Sequence, residues 1–417
     1  MKKSSRLIAF EILYKILQDD SYSNIAVDSM LGKNQCSDSD KSFVTALVYG
    51  VIERKLTLEY IISSHLKNKA KPKVRVILLM GAYQILFMDK VPSSAAVNES
   101  VELAKIIKQE YYCPLINAVL HKIDGERALI ENTDDLSVKY SVPQHLLGMW
   151  NKAYGKEKVS SFLPYVNGKA PLFAVPNPIF TDAAKLSKIL TDEGTDCEEY
   201  GDLVKINGTV SFHNSKAFND GLFHIQDISC YRCCRALQPN AEETVLDVCA
   251  APGGKSFTIA GLMNNQGNIY SFDIHSHRVK LIEDGAKRLG FSCINTDIQD
   301  ASVVRSDMPL ADKILCDVPC SGFGIIRRKP EIRYKNLDTI KELPLLQKRI
   351  LSVSAGYLKQ GGRLVYSTCT LNKRENENVV SDFLSSNSDY RLLDSVTSFP
   401  SEEGNDGFYY AVIERIK

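Results

Sequence analysis

A chain of 417 residues has room for about three domains at the usual ~150 residues each, and it can bury large cores without disulfides. Hydrophobic residues at 44% and charged residues at 24% exclude a disordered or membrane-embedded chain, and 51 Lys+Arg against 50 Asp+Glu leave a net charge of +1 that names no polyanionic partner. Charge can still gather on one face, because the local field and not the sum governs binding.

The first residues, MKKSSRLIAFEILYKIL, are interrupted by Arg6, Glu11 and Lys15 and do not read as a secretory signal. The longest apolar run, Val76 to Met88, is too short to span a bilayer. Eleven cysteines, an odd number spread along the chain, fit reduced thiols in the cytoplasm better than a disulfide framework. No membrane contact is expected, and a monomer is.

Ile8, Ile12, Leu13, Ile16 and Leu17 recur at helical spacing, followed by Leu58, Ile61, Ile62 and Leu66, and by Val97, Val101, Leu103, Ala104 and Ile107. Residues 1–130 therefore read as an all-helical bundle. Asn34 to Lys41 reads as a loop, and Ser93 or Ser94 as the cap of the helix after Pro92. Residues 131–170, punctuated by Pro143, Pro164 and Gly168, read as a linker with a short helix around Leu146 to Tyr154. Over residues 171–237, PLFAVPNP, TDAAKLSKILTDEG, EEYGDLVKING and TVSF follow as strand, helix, strand and strand, a small α+β module. From 238 to 417 strands and helices alternate: TVLDVCA, KSFTIAGLM, GNIYSFD, RVKLIEDGAKRLG, SCINTD and ADKILCDVP. A long helix around Thr339 to Leu358, then GGRLVYSTC and GFYYAVIERI, complete an α/β domain with a parallel, doubly wound sheet.

In TVLDVCAAPGGKS a strand runs into a glycine turn and then a helix, a device that brings backbone N–H groups up to a ligand. A P-loop would need glycine where Cys249 stands, and the G-x-G-x-x-G of a dinucleotide site is missing. An adenosyl cofactor without a pyrophosphate remains. Asp273 ends the next strand at the place of a ribose-binding acid, Asp297 ends the third and Asp317 the fourth, all at the edge where open α/β sheets bind ligands. A single strand-end acid is more often a helix cap, but three in register with a glycine turn favour a ligand. Asp300 competes with Asp297 for the third place.

Cysteines at strand ends offer a nucleophile. Cys36, Cys113, Cys197, Cys293 and Cys316 read as small hydrophobes, and Cys230, Cys233 and Cys234 as helix packing without a second pair at zinc spacing, so no metal is expected. Cys320 and Cys369 instead follow strands that open on the same crevice mouth. A thiolate adds readily to carbon 6 of a pyrimidine, which turns carbon 5 into an enamine carbon able to take an electrophilic methyl group; Asp317 is placed to steady a proton on N3. Chemistry alone leaves open which of the two thiols attacks.

At Cys249-Ala250-Ala251-Pro252-Gly253-Gly254-Lys255, Asp317-Val318-Pro319-Cys320-Ser321-Gly322 and Ser367-Thr368-Cys369-Thr370, the chain resembles the RNA 5-methylcytosine methyltransferases of the NOL1/NOP2/Sun family, over residues from about 140 to 417. The resemblance implies a Rossmann-like class I methyltransferase domain and S-adenosylmethionine as cofactor. It implies cofactor contacts from Cys249 to Lys255 and from Asp273, Asp297 and Asp317. Cys369 would be the nucleophile and Cys320 the thiol that helps release product. The first 125 or so residues resemble the helical RNA-binding domain of the antitermination factor NusB, and the two together match the architecture of bacterial small-subunit rRNA (cytosine-C5)-methyltransferases. The expected partner is small-subunit rRNA.

Lys67, Lys69, Lys71, Lys73 and Arg75 form one basic run, and Arg327, Arg328, Lys329, Arg333 and Lys335 a second, opposed only by Glu331. Together they read as a phosphate track toward the active site, with Tyr334 placed to stack on a base. A small-molecule or protein methyltransferase would share the cofactor site and need no thiol. An RNA-binding assembly factor with a vestigial catalytic domain would not bind the cofactor.

Overall fold

The computed structural model describes residues 3–19, 27, 29–32, 34, 36–208 and 212–417. Its contacts divide the chain into a helical unit, Met1–Asn167 with Lys329–Lys335, and an α/β unit, Gly168–Arg328 with Asn336–Lys417.

The helical unit contains α1 (Ser5–Asp19), α2 (Asp38–Glu53), α3 (Lys55–Ser64), α4 (Pro72–Phe87), α5 (Ser93–Ile106) and α6 (Cys113–Ile123). It continues through α7 (Arg127–Glu131), α8 (Leu136–Tyr140), α9 (Gln144–Tyr154) and α10 (Lys156–Phe162). On α6 the buried Ile116, Val119, Leu120 and Ile123 recur at the three- and four-residue spacing of one helix face. Each such side chain contributes about 1.5–3 kcal/mol on burial. In contrast, α4 is buried on nearly every side from Val76 to Ala82 and forms the bundle's axis. The expected loop at Asn34 to Lys41 is shorter than the sequence suggests, because Ser37 and Asp40 form a reciprocal capping box that starts α2 at Asp38. Neither Ser93 nor Ser94 caps α5: Pro92 holds the cap position, and the Ser93 hydroxyl donates to Asp124 at 2.9 Å. The stretch after residue 130 packs within this unit. Thr57 Oγ1 donates to the Val138 carbonyl, and Trp150 meets Phe162 edge to face at 5.4 Å.

In the α/β unit, β1 (Leu172–Pro176), α11 (Ala183–Asp192), β2 (Cys197–Tyr200), β3 (Leu203–Ile206), α12 (Lys216–Asn219) and β4 (Phe223–Gln226) form an antiparallel sheet in the order β2-β3-β1-β4. The stretch EEYGDLVKING, expected as one strand, is a hairpin that pairs Tyr200 with Leu203 around Gly201 and Asp202. Thr209, Val210 and Ser211 of the expected TVSF strand lie outside the described residues, and Phe212 opens a short 3-10 turn. The strand β4 went unrecognised in FHIQ, which is short and carries a buried histidine.

After α13 (Ile228–Leu237), capped by Asp227, come β5 (Thr244–Asp247), α14 (Gly254–Leu262), β6 (Asn268–Asp273), α15 (Ser276–Leu289), β7 (Ile294–Ile298) and β8 (Ala311–Asp317). The chain closes with α16 (Leu343–Ala355), β9 (Leu358–Thr368), α17 (Glu377–Ser386), β10 (Tyr390–Ser398) and β11 (Phe408–Arg415). The order β10-β11-β9-β8-β5-β6-β7 is Rossmann-like, parallel from β9 to β7 and antiparallel at β11 and β10. The parallel expectation thus fails at one edge, where the chain turns back without a crossover helix between β10 and β11. Helix α16 is shorter than the expected Thr339 to Leu358, since Leu337–Ile340 forms a separate 3-10 turn. The small sheet is anchored by Asn177, whose amide donates to the carbonyls of Gly221 and Leu289.

Candidate active site

Strand β5 ends at Asp247, and the chain then turns through Cys249, Ala250, Ala251 and Pro252 into α14. The turn requires Gly253: its φ of +108° is left-handed, and a Cβ there would stand 2.4 Å from the Phe257 ring. Cys249, Ala250, Ala251, Pro252, Gly254, Lys255 and Asp317 line one cleft of about 120 Å³. Three residues outside the expected cofactor set join them: Gln226 from β4, Asp247, and Cys230 from α13, which was expected only to pack its helix and instead also faces the cleft. Asp247 is fully buried; its Oδ2 accepts from Ser256 Oγ at 2.7 Å, while Oδ1 has no hydrogen-bond partner. Burial pushes its carboxyl up to about 7, and the nearby Asp317 charge adds to the rise. Its place in the sequence is that of Asp273 and Asp317, a carboxylate at a strand end. An unpaired carboxylate oxygen in a tight glycine turn fits the ammonium end of an adenosyl amino acid.

Asp273, at the end of β6, accepts from the His275 N–H at 3.0 Å and pairs with Arg278 at 3.0 Å. Arg278 also donates to the Ala251 carbonyl at 2.8 Å, so one guanidinium ties the glycine turn to the next strand end. Asp297, opposite Phe272 in the ladder, pairs with Arg305 at 2.6 Å, and that hydrogen bond holds its carboxyl below the usual range. Asp300 instead accepts from both the N–H and the hydroxyl of Ser302 and caps its own turn. Neither Asp273 nor Asp297 belongs to the lining that gathers around Lys255 and Asp317.

Parallel pairing of β8 and β9 sets Asp317 beside Ser367, and the two thiols follow a few residues beyond that row. Their loops converge: Cys320 Sγ and Cys369 Sγ lie 3.2 Å apart. The Ser321 and Thr370 hydroxyls meet at 2.7 Å, and the Gly324 N–H donates to the Cys369 carbonyl at 3.0 Å. Asp317 accepts from Ser367 Oγ at 2.8 Å and from Lys255 Nζ at 2.7 Å, so a fixed ion pair links the glycine turn to the thiol loops. The Cys369 thiol first, then burial and the charges of Glu375 and Asp317, push the Cys320 thiol well above its ordinary range. Burial raises Cys233 and Cys316 to about 12 and Cys293 to about 11, which leaves them neutral. Among the described residues no cluster of three or more His, Cys, Asp or Glu side chains suits a metal.

The three arginines of the second basic run are spent inside the protein and do not form a phosphate track. Arg327 is buried, donating to the Gly404 carbonyl at 3.1 Å and to Asp406 at 3.3 Å, and Arg328 is held by Asp406 and by Asp227 at 3.0 Å. Arg333 is fully buried and donates to the carbonyls of Glu53 and Ser141 and to Asn167 Oδ1, each at 3.0 Å. Tyr334 does not present a stacking face: its hydroxyl donates to the Ile52 carbonyl at 2.9 Å, and Lys55 covers its ring at 4.0 Å. The first run is different, with Lys67, Lys69, Lys71, Lys73 and Arg75 all exposed at the start of α4.

The family model described as 16S rRNA methyltransferase RsmB/F matches residues 234–414, and that of the NusB family matches residues 3–124. The chain is 37% identical to a Bacillus subtilis protein named "Probable ribosomal RNA small subunit methyltransferase B", over 98% of both chains. It is 31% identical to the ribosomal RNA small subunit methyltransferase B of Proteus mirabilis, again over 98% of both. Among solved structures, that of PH0851 is similar over 100% of both chains, with a TM-score of 0.81 and 25% identity.

Proposed function

The chain belongs to the RsmB/F family of rRNA methyltransferases, and from that membership and the thiol pair we propose that it methylates carbon 5 of a cytosine in small-subunit rRNA. The observation that carries the reading is the convergence of Cys320 and Cys369 to 3.2 Å beside the Lys255–Asp317 pair. Methyltransferases that act on nitrogen or oxygen have no use for a thiol at this place.

S-adenosylmethionine, when bound, supplies a methyl carbon made electrophilic by its sulfonium sulfur. Asp247 and the turn from Cys249 to Lys255 would hold its amino-acid end, and Asp273 and Asp297, on the neighbouring strand ends outside that cleft, would take its adenosine. On the RNA side, the Cys369 thiolate forms a bond to carbon 6 of the cytosine, and Asp317 steadies the proton on N3 that lets the ring accept the electron pair. After methylation a base takes the carbon 5 proton and the Cys369–carbon 6 bond breaks, returning its electron pair to sulfur. Cys320, which keeps its proton, is the neighbour able to hand it to the departing thiolate. Cys320, neutral beside the attacking Cys369, is thus in the state that an acid requires.

The test is methyl transfer to small-subunit rRNA by the purified chain, read by bisulfite sequencing. One cytosine should become protected, and Cys369→Ala should lose that protection entirely. Methyl transfer that persists in Cys369→Ala would overturn the covalent route.

A further inference from the structure

Behind the thiols lies a carboxylate that the scheme above does not use. Glu375 is fully buried, and among the described residues it forms no ion pair. Its Oε2 accepts from the backbone N–H of Ser321 at 2.8 Å and from Gln347 Nε2 at 3.1 Å, and its Oε1 accepts from Asn372 Nδ2 at 2.8 Å. Gln347 also donates to the Pro319 carbonyl at 2.8 Å, so the residues on both sides of Cys320 are gripped from one point. The same glutamate is fixed on the other side by its own backbone, whose carbonyl accepts from Tyr366 Oη at 2.6 Å on the strand that leads to Cys369. Asn376, its neighbour, binds Thr368 Oγ1 and the Thr370 carbonyl, the two residues flanking Cys369.

A buried carboxylate without a cation is costly unless donors satisfy it, and three N–H groups do so here. Nothing in packing alone calls for a charge at this position; an apolar side chain would fill the space but lose the hydrogen bond from the Ser321 N–H. We infer that Glu375 is a positioning residue that locks the Cys320 loop against the turn after Cys369 and thereby sets the separation of the two thiols. Its charge also opposes ionisation of Cys320, in keeping with a proton held there. The inference rests on the thiol chemistry proposed above.

Glu375→Gln keeps the shape, but its amide must turn a donor toward donors. Two readouts separate this inference from the methylation scheme. The first needs no RNA: diamide oxidises two thiols to a disulfide, taking two electrons and two protons, and mass spectrometry follows formation of the Cys320–Cys369 bond. Glu375→Gln should slow that bond at least fivefold relative to the native chain, against the easier ionisation of Cys320 that loss of the charge alone brings, and a faster bond would overturn the inference. The second is turnover, in which kcat should fall at least tenfold with KM for S-adenosylmethionine unchanged and Glu375→Asp recovering part of the loss. Gln347→Leu, which removes the grip on Pro319 and leaves the carboxylate in place, should give an intermediate slowing and guards against a misfolded glutamine variant. Unchanged disulfide and turnover rates in a folded Glu375→Gln protein would overturn the inference, whereas a native chain that forms the disulfide but methylates no cytosine would overturn the scheme and leave the latch standing.

Discussion

Lys67, Lys69, Lys71, Lys73 and Arg75 stand exposed at the head of α4, whereas Arg327 and Arg333 are buried and Arg328 is spanned by Asp227 and Asp406. Both stretches carry five cations. What separates them is the supply of acceptors. The first stretch meets solvent, with Arg75 paired to Glu59. The second spends its guanidinium groups on carbonyls at Gly404, Pro171, Glu53 and Ser141. A guanidinium offers five donors in a fixed plane and can satisfy several carbonyls at once, which an ammonium does less well. All three satisfied cations of the second run are arginines, and all but one of the first are lysines.

The contrast is most open to attack at Arg333. Arg333→Met should remove the hydrogen bonds to the carbonyls of Glu53, Ser141 and Val166 and cost about 3 kcal/mol, measured by chemical denaturation. A loss below about 1 kcal/mol would mean that the buried guanidinium is not structural. For the exposed run, replacing Lys69, Lys71 and Lys73 together by alanine should weaken RNA binding about tenfold at low salt and lower the salt slope by about 2, if each lysine meets one phosphate. Filter binding across a potassium chloride series reads both quantities, and an unchanged slope would remove this face from the RNA contact. The acids repeat the contrast on a smaller scale. Asp247, with its carboxyl raised to about 7, is protonated below that pH and charged above it. Affinity for the cationic amine of S-adenosylmethionine should therefore rise severalfold from pH 6 to pH 8 by calorimetry, and Asp247→Asn should flatten the profile. The smallest effect is expected for Lys71→Ala alone, whose folding stability should stay within about 0.5 kcal/mol of the native chain.

The glycine turn and both thiols were legible because each follows an apolar strand and the parallel ladder fixes where strand ends go. Asp317 and Ser367 are ladder partners, so Cys320 and Cys369 had to emerge at one place. Asp247 was passed over although it ends the strand before the turn, because burial and a missing partner are properties of packing. Gln226 and Cys230 reach the cleft from the smaller sheet and the helix after it, a placement that chain order does not disclose. The Arg327 to Lys335 stretch was misread for the related reason that its acceptors lie far along the chain, Glu53 and Asp406 among them.

In the proposed scheme Cys369 attacks and Cys320 releases. The direct measurement is denaturing electrophoresis of Cys320→Ala and Cys369→Ala, each incubated with S-adenosylmethionine and small-subunit rRNA. Cys320→Ala should accumulate a covalent protein–RNA adduct and Cys369→Ala should form none. An adduct that appears in Cys369→Ala and not in Cys320→Ala would contradict the account by exchanging the two roles.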